Sequence, residues 1–432
     1  MKPAAIIGLI LIAPVFADDL PAGVLLLSRV KIHIKEELQR LAAISCLETV
    51  ERELQPPKGK MRPLDTIRLE VLSSGNKELF ASPGDRKFYE KHPLTFAGSG
   101  TLGDGLFGPY LREIVTSEHV SVQYKGEEEI GGRRPARYDY QIPPFLSGQN
   151  ISIVEGSGRV GLHGSFWADP QTYDVTRLEL HADNIPPALP VSEMTTRIDY
   201  TRTRLGDDLV LLPETAEVRL VKQSGEISHN RAQFTHCRVF GAESKIDFDA
   251  PDSPEPAPRF ATVAVDDILR PLPAGLEVPV KLRSRISEEM AVGTLIDGAV
   301  ANPVTLKRAE IIPAGSVVRG RIRRMERYTD PFPYFVIGLE FTEVEVQGIR
   351  HLFYADLLTM DSALGVSAFL TTDNTTAAAQ TRDLFGARSG RQMIESRSLY
   401  QLPGVAAFFF KGRKLELPAG FRTVWKTRTW KP

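Results

Sequence analysis

Cysteine is nearly absent: the 432 residues hold two, Cys46 and Cys237. Two thiols are too few for a disulfide-framed miniature domain or a four-thiolate metal site. An excess of one charge is missing as well. Lysine and arginine number 53 against 54 aspartate and glutamate, a net charge of −1, so no overall field favours nucleic acid as a partner. Long apolar runs are lacking after the first 17 residues, and no later segment reaches the ~18 consecutive apolar residues of a membrane span. What is present, 42% hydrophobic and 25% charged residues with glycine and proline spread throughout, describes a globular chain with a core. It excludes collagen, coiled coil and disorder. The length suits two or three domains of ~100–200 residues.

Residues 1–17, MKPAAIIGLILIAPVFA, combine Lys2 with an apolar run and small residues, Val15 and Ala17, at the −3 and −1 positions of a cleavage site. They read as a signal peptide cut after Ala17, and no Cys follows to carry a lipid anchor. The mature chain is then expected to be exported, to the periplasm or beyond the cell, with no transmembrane span. Export sets Cys46 and Cys237 in a compartment that oxidises thiols. A bridge between them would be worth ~4–5 kcal/mol in the chain-entropy model; two buried free thiols are the alternative.

Apolar residues Leu27, Val30, Ile34, Leu38 and Leu41 share one stripe, predicting a helix over 24–44. From Cys46 the period becomes two, as in Ile67/Leu69/Val71, Tyr138/Tyr140/Ile142, Leu178/Leu180 and Val218/Leu220. Turn signals such as Gly131-Gly132 and Gly206-Asp207 separate these runs. The fold class is therefore mainly β, with α+β character in the first domain (18–249): a curved antiparallel sheet around one long N-terminal helix. The glycine-rich stretch 98–108 and a short helix near 109–115 form an insertion. Four prolines within residues 250–259 mark an extended linker. Residues 260–432 read as a second, β-barrel-like domain with a polar insertion at 361–395. The charge changes sign across the linker: residues 1–259 carry 30 basic and 36 acidic side chains, and residues 260–432 carry 23 and 18. Opposite signs allow the halves to dock on each other.

Chemistry-bearing motifs are few. Gly98-Gly100-Gly103 and Gly156-Gly158-Gly161 match G-x-G-x-x-G, but they lie among antiparallel strands, where hairpins account for them. His163 and His181 flank one hairpin, with Asp183 a candidate third ligand for a metal; a satisfied histidine pair is the plainer reading. Ser74 and Lys77 fit S-x-x-K across a tight turn. No cofactor, metal site or catalytic residue is assigned, and the chain is read as a non-enzyme, although carboxylate pairs leave room for an unrecognised hydrolase. Arg319, Arg321 and Arg323 share one strand face and form the candidate site for an anionic surface. The competing reading is cross-strand pairing with Glu340, Glu343 and Glu345. Arg422, Lys426, Arg428 and Lys431, with Trp425 and Trp430, extend the basic character of the C terminus.

The stretches Leu272-Pro-Ala-Gly-Leu276, Gly293–Val304 and Ile312-Pro-Ala-Gly-Ser-Val-Val-Arg-Gly320 carry a resemblance, joined in order by the Phe335–Phe341 strand, Gln347-Gly348 and Asp361…Gly365. Over about 100 residues they resemble the β-barrel of TrbI-type conjugation and type IV secretion proteins. That resemblance implies ring assembly and a helical insertion reaching the outer membrane. The chain departs from it in carrying a cleavable signal where that family has an inner-membrane helix. Phe166-Trp-Ala-Asp-Pro-Gln-Thr-Tyr173 followed by Arg177-Leu-Glu-Leu180 is loosely similar to LolA-like lipoprotein-sorting half-barrels. This implies a concave face that takes acyl chains, at ~25 cal/mol per Å² of apolar surface removed from water.

Two functions follow as expectations. The first is an exported envelope protein binding a lipid or lipoprotein in its first domain and an envelope protein partner or anionic surface through its second. The alternative is a structural or assembly component with no small-molecule ligand.

Overall fold

The computed structural model describes residues 22–429, apart from 42–43, 75–76, 86, 91–92, 98–100, 154, 241–269, 330–331, 362–365 and 371–403. The signal peptide, its cleavage site at Ala17 and the 250–259 linker lie outside the described residues. Of the 361–395 insertion only Asp361 and one strand are described.

Helix α1 spans Ala22–Leu41. Val30, Ile34, Leu38 and Leu41 are at most 1% exposed, as a stripe with spacings of three and four requires. Burying each contributes about 1.5–3 kcal/mol. Twelve strands follow: β1 (Ile44–Gln55), β2 (Arg62–Ser74), β3 (Lys77–Ala81), β4 (Ser121–Glu127), β5 (Ala136–Ile142), β6 (Asn150–Ile153), β7 (Gly156–Arg159), β8 (Gly161–Ala168), β9 (Val175–Asp183), β10 (Val191–Leu205), β11 (Asp208–Lys222) and β12 (Ile227–Val239). All but the β6–β7 hairpin form one ten-stranded antiparallel sheet, in the order β3-β2-β1-β12-β11-β10-β9-β8-β5-β4. The sheet curls into a half-barrel around α1. Gly206 at φ 62° makes the two-residue turn that joins the two longest strands, β10 and β11.

The first and last strands of this sheet, β1 and β12, pair with each other, Glu48 lying opposite Phe234. That pairing brings together cysteines 191 residues apart in sequence. Cys46 and Cys237 are disulfide-bonded, with Cα atoms 4.0 Å apart.

The second half is built from β13 (Arg270–Pro271), β14 (Glu277–Leu282), β15 (Ile286–Ser287), β16 (Leu295–Val300), β17 (Val304–Leu306), β18 (Ala309–Ile312), β19 (Val317–Tyr328), β20 (Tyr334–Val346), β21 (Ile349–Leu352), β22 (Ala355–Met360), β23 (Val366–Leu370), β24 (Ala406–Lys411), β25 (Glu416–Leu417) and β26 (Arg422–Thr427). Its main sheet runs β13-β21-β20-β19-β16-β14-β26-β22. β21 and β22 lie near opposite ends of that order, yet only Phe353 and Tyr354 separate them in sequence. The sheet must therefore roll until its ends meet, giving a barrel-like body. Trp425 fills its interior, edge-on to Phe341 and Phe353 with ring centroids 5.2 and 6.5 Å away. At 1% exposure, with its indole N–H donated to Thr423, Trp425 is a core residue and not part of an aromatic surface.

The two halves share main-chain hydrogen bonds. Arg68 N–H donates to Val292 O at 3.0 Å, and Val292 N–H donates to Thr66 O at 2.8 Å. Gly293 next to this contact has φ 94°, and a Cβ there would stand 2.6 Å from Arg68 O, so only glycine fits. No helix among the described residues is long and apolar enough to cross a membrane.

Candidate functional site

Alternation along β1 turns Cys46, Glu48, Val50 and Arg52 toward the concave face of the half-barrel, and all four are buried. Two covers fill this face. One is α1. The other is the insertion, in which Leu102, Leu106, Phe107, Tyr110, Leu111, Ile114 and Val115 are buried. The chain there forms a short turn of helix, Pro109–Leu111, widening into a π-helical turn, Arg112–Thr116. Phe107 meets Phe234 of β12 at a ring-centroid distance of 5.6 Å.

Each cover is tied down by polar contacts. For α1 the tie is a four-residue network. Glu37 accepts from Arg202 at 3.2 Å and from Leu211 N–H at 3.1 Å, and Arg202 closes on both oxygens of Asp174. His33 Nε2 lies 2.7 Å from Asp174 and 3.0 Å from Arg202. Burial alone would raise the Asp174 pKa, but the hydrogen bonds from Arg202 and His33 hold it below the ordinary value. For the insertion the tie is Glu78, whose carboxylate accepts from Gly105 N–H at 2.7 Å and Phe107 N–H at 2.5 Å. Thr101 adds a contact to Ser228 at 2.5 Å, and Asn230 donates to its carbonyl.

Beneath the insertion some polar groups have no partner. The Tyr200 hydroxyl and the Asn230 side-chain carbonyl are buried without a hydrogen-bond partner, and Glu48 is 4% exposed. Burial, then the neighbouring Glu78, pushes the Glu48 pKa up to about 8. Burial likewise raises Glu78 to about 7, against the pull of its two backbone donors and with Asp104 adding to the rise. Burial also raises Tyr110 and Tyr200 well above the ordinary range, each further raised by Glu78.

These shifts predict a pH dependence. The folded chain holds the Glu48 and Glu78 protons more tightly than an unfolded chain, whose glutamates titrate near 4.5. Their contribution to stability is whole below that value and is lost as pH rises through 7 and 8. Asp174 acts oppositely, its contribution being lost as pH falls toward its depressed pKa. The melting temperature is therefore expected to peak at mildly acidic pH. Glu48→Gln should flatten the decline between about pH 6 and pH 8 in calorimetry. An unchanged slope in that variant would refute the assignment.

The three arginines of the candidate anionic site lie on β19, each with its charge met inside the molecule. Arg319 pairs with Glu345 at 2.6 Å and Arg323 with Glu340 at 2.5 Å, both cross-strand contacts to β20. Arg321 instead reaches the first half of the chain, pairing with Asp85 at 2.6 Å and donating to Pro83 O. Arg323 also donates across the seam, to Thr95 O. A β-bulge at Arg323 then brings Arg324 and Glu326 to the same seam, where they pair at 2.7 Å with 1% and 0% side-chain exposure. A second buried pair, Arg52–Asp65, joined by two 2.7 Å hydrogen bonds, belongs to the first half. Burial works against the Arg52 charge, but Asp65, and more weakly Glu326 and Tyr328 across the seam, outweigh it and raise its pKa.

His163 and His181 sit directly opposite on β8 and β9, their rings stacked 5.2 Å apart, with Asp183 4.0 Å from His163. No group of three or more His, Cys, Asp or Glu arranged to hold a metal is found among the described residues. Ser74 and Lys77 pair across the β2–β3 turn. Gly156, Gly158 and Gly161 belong to antiparallel strands.

No family model and no curated protein matches the chain. Similar solved structures fall into the two groups that the sequence resembles. ComB10 of the Com type IV secretion system of Helicobacter pylori is 13% identical, with 38% of this chain and 90% of that one covered at a TM-score of 0.20. An outer membrane lipoprotein-sorting protein domain from Vibrio parahaemolyticus is 11% identical, covering 52% and 97% at 0.26. A DUF1329 family protein from Desulfovibrio piger is 11% identical, covering 50% and 95% at 0.25. At such scores the likeness concerns the course of the chain and carries no function with it.

Three features escaped the sequence reading: the network around Arg202, the buried Arg52–Asp65 and Arg324–Glu326 pairs, and Glu48. For Arg52 and Glu48 a signal was present. Glu48 and Arg52 occupy positions where the period of β1 calls for apolar residues.

Proposed function

We propose that the protein is an exported, non-enzymatic component of the cell envelope. Its first domain (18–249) takes an apolar or amphipathic ligand, a lipid or lipid-modified protein, on the concave face of the half-barrel. Its second domain (260–432) is the module that meets an envelope partner. One observation carries this reading: the concave face is closed by two separate covers, each tied to the sheet by polar contacts at its margin. The hydrogen bonds that tie the insertion, from Gly105 and Phe107 to Glu78 and from Asn230 to Thr101, are worth about 0.5–1.5 kcal/mol each. The apolar area under a cover is worth ~25 cal/mol per Å² to whatever buries it. A ligand of matching area can therefore replace a cover at little net cost.

The test is uptake of an uncharged apolar fluorophore, N-phenyl-1-naphthylamine, by delipidated protein. Saturable binding at about micromolar concentration, reversed by added phospholipid, is expected. Fluorescence no greater than that with an unrelated folded protein would defeat the reading. The second reading, an assembly component without a ligand, is favoured by the filling of the concave face by Val30, Ile34, Leu38 and Leu41, each at most 1% exposed. Native mass spectrometry showing a ligand-free ring would establish it.

A further inference from the structure

Alternation along β8 and β9 turns Leu162, Phe166, Leu178 and Leu180 toward the core and sends His163 and His181 to the convex face of the half-barrel. The two histidines are directly opposed in register. A Cβ at the neighbouring Gly164 would stand 2.1 Å from Glu179 O, so the strands are held close at this point. The rings face each other with centroids 5.2 Å apart and planes at 16°. Both residues are exposed, the His163 side chain by 51%, so either ring can turn without disturbing the core. Stacking leaves the ring nitrogens unused. Among the described residues the one polar contact of either ring runs from His163 Nδ1 to Asp183 at 4.0 Å, too long for a hydrogen bond. The pair is therefore close together but not satisfied.

The surroundings favour a cation. Glu179 and Asp183 flank His181 two residues to either side, on the same face of β9. The residues opposite the pair on the outer strands, Gln141 of β5 and Thr195 of β10, are uncharged. Two residues further along those strands, Asp139 and Arg197 are already paired, with Arg137 at 2.9 Å and Glu217 at 3.2 Å. A metal ion held ~2.0–2.1 Å from each imidazole nitrogen needs two nitrogens within about 4 Å of each other. Rotation of the two stacked rings brings their edges to that separation.

We infer that His163 and His181 form a two-histidine site for a divalent transition-metal ion, with Cu2+ bound most tightly of the first-row series. Glu179 and Asp183 offset the charge of the ion, and water completes its coordination. With two protein ligands, the site loads and releases its ion readily, unlike a four-ligand structural zinc centre. It lies on the opposite side of the sheet from the concave face and does not depend on any ligand bound there.

Titration calorimetry and pulsed electron paramagnetic resonance with Cu2+, on the full mature chain without a histidine tag, test the inference. Saturable binding at about micromolar concentration is expected, with two imidazole nitrogens on the ion. His163→Gln and His181→Gln should each weaken that binding by at least about tenfold, the least that follows loss of a residue merely supporting a metal ligand, and leave one imidazole. His119→Gln, at another exposed histidine, should change neither affinity nor spectrum. Unchanged melting temperatures in the two site variants would show that the loss of binding is not a loss of fold. Cu2+ binding that survives both site replacements, a single imidazole in the spectrum of the unaltered protein, or no saturable binding overturns the inference.

Discussion

Replacing Arg52 by alanine is expected to lower the unfolding free energy by about 3–5 kcal/mol, the cost of breaking a buried ion pair by removing one partner. Asp65 has a fully buried side chain, and both of its oxygens accept from Arg52. Without the guanidinium its charge is stranded where Glu326 already contributes negative potential. Chemical denaturation followed by tryptophan fluorescence measures the change, and a loss below about 1 kcal/mol would show that water or a neighbour replaces Arg52. A double variant, Arg52→Met with Asp65→Leu, should recover most of the loss, because apolar pairs of similar volume commonly match or exceed a buried ion pair.

The second large effect concerns Cys46 and Cys237. Converting both to serine frees a loop whose ends are 191 residues apart, and about 4–5 kcal/mol should be lost under oxidising conditions. The same loss should follow reduction of the unaltered protein. Equal denaturation midpoints for the variant and the oxidised wild type would contradict this. β1 and β12 would still pair without the bridge, so the loss should appear as a lower midpoint with the same cooperativity.

Much of the architecture was legible because periodicity is a backbone property. The stripe Val30–Ile34–Leu38–Leu41 fixes α1, and the helix ends within three residues of the expected 44. The alternating runs fix the strands. The disulfide needed one further step, pairing of the first strand of the sheet with its last, which no local pattern announces. The seam was less legible for a physical reason. Arg319, Arg321 and Arg323 alternate on β19, but a β-bulge at Arg323 changes the phase and brings Arg324 to the same side. Cross-strand partners such as Glu340 and Glu345 follow from register, whereas Asp85 lies in a distant part of the sequence. Trp425 reads equally well as a surface aromatic or a core one until the closure of the second sheet encloses it. Glu48 was hidden among many carboxylates, and only its burial distinguishes it.

The main-chain contact at Val292 has a consequence for handling the protein in pieces. β3 covers β2 only from Glu70 to Ser74, leaving the edge at Thr66–Arg68 to be covered by the second half. A fragment ending near residue 240 would present that ledge bare, with amide and carbonyl groups ready to template a neighbouring molecule. Such a fragment should self-associate while the intact polypeptide does not, and a mutation loosening the seam should be met in the cell as precipitation before any loss of binding.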